Sequence, residues 1–121
     1  MIALTAILCG ALGAVARFVV DGIVRARVTV TFPVATLLIN VTGSALLGVV
    51  AGLVMFHAAP SAVMTIVGTG FCGGYTTFST ASLEAMVLMR ERRRWRSLAY
   101  AAVSVMASVV ACALGMYFAS R

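Results

Sequence analysis

Hydrophobic positions along this chain come in long unbroken blocks rather than as the one-sided stripe of a surface helix. From Val28 to Leu83 no side chain is formally charged, and Pro33 and Pro60 divide that stretch. Proline suits the first turn of a helix, where its missing N–H is no loss. The block therefore predicts two helices, at about 33–56 and 61–89. Ser97 to Ser120 is a third uncharged run, and Ile2 to about Val24 a fourth, interrupted only by Arg17 and Asp21. Each suffices for a bilayer core of about 30 Å, which takes roughly 20 helical residues. The pattern predicts an all-α membrane protein with one integral domain over residues 1–121. Its four spans fall at about 2–24, 33–56, 61–89 and 97–119, with short loops and no internal repeat. The first span has no basic start, so a cleaved leader is not expected.

Composition sharpens this. Apolar residues make up 63% of the chain and charged ones 10%, against about 45–50% and 25% in soluble domains. Disorder, a soluble small domain and a multidomain enzyme are all excluded. The charge is carried by nine arginines and no lysine, against three acids, for a net +6. With four crossings, Arg25 and Arg27 share a side with Arg90, Arg92, Arg93, Arg94 and Arg96, while the other side has only Arg121. The positive-inside rule puts both basic loops in the cytoplasm and both termini outside. The run Arg90–Arg96 also suits nucleic acid or anionic lipid. Lying directly between two spans, with Trp95 as an interfacial anchor, it reads as an orientation signal, and no nucleic-acid partner is expected.

Polar groups inside spans are expensive and face a partner or a water-filled path. The second span carries Thr36, Asn40, Ser44, Gly48 and Gly52 at four-residue spacing, one helix face. The glycines suit close helix packing, whereas the Asn40 amide brings donors and an acceptor that need partners. The fourth span repeats the spacing with Tyr100, Ser104, Ser108 and Cys112, a ladder of hydroxyl donors that suits an anion. Arg17 and Asp21, four apart, read as a neutralising pair, with Arg17 near a helix end where it can draw anions. The cysteines Cys9, Cys72 and Cys112 lie in separate spans without C-x-x-C spacing, and no nucleotide-binding loop is present, so no enzyme chemistry is expected. The third span holds Gly68, Thr69, Gly70, Gly73, Gly74, Thr76, Thr77 and Thr80 in one short stretch. Adjacent Gly73 and Gly74 predict a break near Gly73–Thr77, with freed carbonyls able to meet a cation. Glu84 follows as the one acid deep in that half.

The segment from Gly68 to Thr80 closely resembles the signature of the small fluoride channels, the Fluc family. Gly13-Ala14-Val15-Ala16-Arg17 and Pro33 followed by Thr36-Leu37-Leu38-Ile39-Asn40-Val41-Thr42-Gly43 add to the likeness, which covers essentially the whole chain. The resemblance implies a multi-pass protein of a prokaryotic cell membrane. It implies an antiparallel dimer of four-helix subunits, with passive, selective fluoride export through pores at the subunit interface. It also implies a structural, untransported Na+ at the dimer centre, held by backbone carbonyls of Gly73 and Thr76. Asn40 would be a pore donor and Phe78 would offer its ring edge. Ser79, Thr80 and Ser108 would form a polar track, Tyr100 and Glu84 would neighbour it, and Arg17 would attract the anion.

Two departures stand out. The family pattern places a second phenylalanine three residues after the first, and here that position is Ala81. Dual-orientation homodimers call for balanced basic loops, and this chain is strongly one-sided. Both fit one half of a heterodimer. A proton-coupled small multidrug exporter is the rival of another class, but it needs a carboxylate midway along the first span, where this chain has Ala14. A non-conducting partner subunit is the third reading.

Overall fold

The computed structural model describes residues 1–30 and 32–121. Helix α1 spans Ile2–Arg27 and α2 spans Val34–Phe56. Helix α3 covers residues 61–75, α4 is Ser79–Arg90 and α5 is Arg94–Ala119. Among the described residues, α1, α2 and α5 are each long and apolar enough to cross a membrane. The α3–α4 pair occupies the stretch where the third span is expected. Pro33 and Pro60 sit one residue earlier than the first-turn position expected of them, as the caps of α2 and α3. Their carbonyls accept from Leu37 and Val63, at 3.3 and 2.9 Å. The first and last helices run about one turn beyond the uncharged stretches, so Arg25, Arg27, Arg94 and Arg96 are helical.

Helix pairing follows small residues, as it must where lipid removes the hydrophobic drive between helices. Helix α2 packs most extensively on α5, and α1 on α3. At the first contact a Cβ on Gly48 would collide with the Cys112 carbonyl, and one on Gly115 with the Ala45 carbonyl. The lower half of the α2 stripe, Gly48 and Gly52, is therefore packing surface. At the second contact, Ala6, Gly10 and Gly13 of α1 form one face against Gly70, Phe71 and Gly74 of α3. Gly74 is helical, with its Cα against the Gly10 carbonyl.

The third helix breaks within the expected Gly73–Thr77 stretch, though at its end and not at the glycine pair itself. Gly73 keeps helical angles (φ −62°, ψ −38°), and the chain leaves the helix at Thr76 (φ −77°, ψ 160°), re-entering it at Ser79. The glycines are there for close approach. Departure comes at two threonines, whose hydroxyls offer the backbone competing bonds. Thr76 Oγ1 donates to the Cys72 carbonyl at 2.7 Å, and Thr77 Oγ1 accepts the Thr80 amide at 3.2 Å. Upstream, Met64–Cys72 is nine residues of π-helix, a form found mostly as single turns at functional sites.

Gly48→Ala should lower stability by about 1–3 kcal/mol, the usual range for overpacking a tight contact. Gly22→Ala, where an added methyl meets no atom within 4 Å, should be neutral or slightly stabilising. Thermal unfolding in detergent, compared between the two variants, checks this.

Candidate functional site

One open groove of about 730 Å³ runs along the face where α2, α3, α4 and α5 meet. Its lining contains Asn40, Ser44, Thr76, Phe78, Ser104 and Ser108, and no charged residue. The two donor stripes of α2 and α5 thus converge on one surface. Four-residue spacing keeps each stripe on one side of its helix, and the glycine contacts bring the helices close enough for the sides to adjoin. Among the described residues, the hydroxyls of Ser44, Ser104 and Ser108 have no hydrogen-bond partner within the chain. They are free to donate into the groove.

Asn40 does two things at once. Its Nδ2 donates to the Thr77 carbonyl at 3.0 Å, and its Oδ1 accepts the Thr77 amide at 2.9 Å. The side chain thus replaces the helical partners that Thr77 loses at the break. One Nδ2 hydrogen remains, and the residue lines the groove. Because the Thr77 amide goes to Asn40, it does not reach the Gly73 carbonyl, which loses its helical donor. Gly73 and Thr76 both lie on the groove wall, and the Gly73 Cα faces open space. The Gly73 carbonyl, freed at the break, therefore has the chemistry to meet a hard cation.

Phe78 stands at the break with 87% of its surface exposed, on the groove. Ala81, one turn later, lines the same wall. Ser79 and Thr80 do not line it. Their hydroxyls cluster with Thr77 Oγ1, at 3.4 and 3.2 Å, around the start of α4. Ser82, which the sequence reading passed over, takes the groove position instead. Its i+4 spacing from Phe78 was the available signal.

The expected Arg17–Asp21 pair does not form. Asp21 pairs with Arg25 at 2.9 Å, and Arg17 Nε donates to the Gly74 carbonyl at 3.3 Å. An acid N-terminal to a base at i, i+4 is the better orientation on a helix, so Asp21 turns toward Arg25. Arg17 follows Ala6, Gly10 and Gly13 on the face packed against α3, which places its guanidinium at the C-terminal end of that helix. Cations are favoured there. Arg17 supports the break by capping it.

Glu84 is the hub of a second cluster. It takes Arg25 Nη2 at 2.7 Å and the Tyr100 hydroxyl at 3.2 Å. Tyr100 is only 1% exposed and meets the Phe32 ring edge-on at 5.4 Å. Ser97 Oγ donates to the Ala85 carbonyl at 2.8 Å close by. These contacts lock α1, α4 and α5 together at the arginine-rich end and leave the Glu84 carboxylate occupied.

The profile described as "CrcB-like protein, Camphor Resistance (CrcB)" matches residues 4–116. The protein named "Fluoride-specific ion channel FluC 1" of Leifsonia xyli subsp. xyli is 46% identical over 118 residues, covering 97% of this chain and 85% of its own length. The one named "Fluoride-specific ion channel FluC 2" of Mycobacterium tuberculosis is 46% identical over 112 residues, with 93% and 86% covered. A third, of Rhodococcus jostii and also named FluC 2, is 39% identical over 120 residues, with 99% and 100% covered.

Asn40→Leu should orphan both backbone groups of Thr77, at about 1–3 kcal/mol for each group left buried and unpaired. Asn40→Asp keeps the acceptor for the Thr77 amide and should fall between. Hydrogen exchange at Thr77 reads the difference directly, with protection falling in the order wild type, Asp, Leu.

Proposed function

The chain belongs to the CrcB-like family, and on that premise we propose that it is a subunit of a passive fluoride-selective channel that lets fluoride leave the cytoplasm. It is a multi-pass membrane protein of a bacterial cell membrane and not an enzyme. The observation that carries the reading is the groove. Among the described residues, it offers the unpartnered hydroxyls of Ser44, Ser82, Ser104 and Ser108 and a spare amide hydrogen, and it holds no carboxylate. Fluoride is small and strongly hydrated, so a path must replace water with compact donors. Asn40, Ser104 and Ser108 supply them, and the Phe78 ring edge, positive in its quadrupole, meets the partly dehydrated ion. An exporter of cationic drugs would want a carboxylate here, and Glu84 is taken up by Arg25 and Tyr100.

The groove is open on one side in the single chain, and a second subunit would close it into a pore. Antiparallel packing brings the two α3 breaks together at the centre. There the Gly73 and Thr76 carbonyls would hold a structural Na+, supplying a fixed positive charge that ties the breaks together. Ser79, Thr80 and Tyr100 belong beside the pathway in this reading, and Arg17 holds the break open through Gly74. The second subunit is an unlike chain. Ala81 leaves the groove wall without a second ring next to Phe78, and the arginines fix one orientation, so the partner would bring the opposite bias and the missing ring.

Proteoliposomes loaded with fluoride test this. Efflux should appear when this chain is reconstituted with a companion of opposite arginine bias, and Ser108→Ala or Phe78→Ala should slow it roughly tenfold or more, as loss of one charge-assisted contact implies. No electrode-detected efflux with or without a companion, in sodium, would reject the channel reading. A C-terminal tag should be reached from one side only, and equal labelling from both sides would reject the unlike partner.

A further inference from the structure

The turn between α4 and α5 has features that the groove does not use and that an orientation signal by itself does not require. Arg90, Arg92, Arg94 and Arg96 are all exposed, and among the described residues none has an acidic partner. Glu91, the one acid nearby, faces Arg93 at 3.8 Å across a half-exposed gap. The other basic loop is different: Arg25 is neutralised by Asp21 and Glu84 together. Arg27 there has no acidic partner but stands alone, so among the described residues the unmet charge is concentrated at the α4–α5 turn.

The charge is also on the wrong end of its helix. The first turn of α5 contains Arg94 and Arg96 and no acid, and no side chain caps it. Helix N-termini carry positive partial charge and unpaired N–H groups, which favour anions and disfavour cations. Arg93 Nη1 is buried without a hydrogen-bond partner. Arg92 holds a left-handed backbone conformation (φ 59°), within a tight turn closed by the Arg93 amide on the Leu88 carbonyl at 3.0 Å. So the arginines are held within a few residues of two helix ends. Trp95 is 86% exposed and Leu98, one turn on, is also exposed. That pair suits the boundary between headgroups and acyl chains, where tryptophan is enriched.

We infer that this turn is a binding site for anionic phospholipid. Guanidinium forks and the free N–H groups of α5 take the headgroup phosphate, and Trp95 with Leu98 lies against the glycerol and upper acyl chains. The exposed apolar pair beside the arginines favours a lipid over a nucleic acid, which would leave Leu98 in water. The site is independent of the ion path, since no residue of the turn lines the groove.

The full chain purified in zwitterionic detergent tests this, with bound lipid counted by native mass spectrometry and thermal midpoint as a second readout. Phosphatidylglycerol should bind in clear preference to phosphatidylcholine and raise the midpoint. The triple variant R92Q/R94Q/R96Q should lose affinity roughly fivefold for each arginine removed. R92K/R94K/R96K should keep most of it, and Arg121→Gln, at the far end, should change nothing. Equal binding of the two lipids, or an unchanged preference in the glutamine variant, overturns the proposal. Inorganic phosphate that binds as tightly as phosphatidylglycerol, or an RNA oligonucleotide that binds more tightly than phosphatidylglycerol vesicles, overturns it too. If the glutamine variant does not fold, the salt dependence of wild-type binding decides, and binding insensitive to salt counts against the site. Fluoride efflux plays no part in these readouts, so the two readings stand or fall separately.

Discussion

A backbone that leaves its helix inside a bilayer exposes amide and carbonyl groups to a medium that cannot solvate them. In this chain the debt falls mainly on Thr77, and one side chain meets it. The Asn40 amide presents a donor and an acceptor in the geometry of a peptide group, and Thr77 receives both. Around that pair the rest is arranged. Arg17 caps the incoming helix at Gly74, and Thr77 Oγ1 receives the Thr80 amide at the start of the outgoing one. Because the substitute comes from α2, the break is fixed relative to the serine stripe. The Phe78 ring and the donor ladder on α5 are held to one surface as a result.

Glycine in this molecule serves distance more than freedom. None of its glycines has a positive φ, and most of those within the bundle touch a neighbouring backbone. Removing the Cβ atoms lets α1 and α3, and α2 and α5, approach until main chains meet. The division of labour is legible along α2: Gly48 and Gly52 are consumed by packing, while Asn40 and Ser44 are left facing the groove. Apolar side chains displaced from these contacts cover the outside, where α1 and α5 expose Leu12, Phe18, Val105 and Phe118 among others.

Helix type and number were legible in the sequence because uncharged blocks and prolines speak directly to burial in lipid. The two donor stripes were legible because four-residue spacing is a geometric statement. The position of the break was less so. A glycine pair signals weak helix propensity, but here propensity lost to packing, and the threonines that compete for backbone bonds set the boundary. The pairing of Asp21 was misjudged by spacing alone, since two arginines stand four residues away and only the direction of the helix separates them. Ser79 and Thr80 look the same as Ser82 in composition. Which of them faces the groove depends on where α4 restarts, a phase that no local pattern carries.

The facing of the residues that lead into the break depends on the π-helical stretch Met64–Cys72. Each i→i+5 turn takes in one more residue than an α-turn, so the stretch acts as a stored angular offset between the two ends of α3. At its end, Gly74 meets α1 while Gly73 lines the groove. A one-residue insertion or deletion anywhere in 64–72 would leave composition, hydropathy and charge almost untouched, yet would rotate Gly73, Thr76 and Phe78 together. Chain length in this segment is thus a coded quantity, and the tolerance of loops to length change does not extend to it.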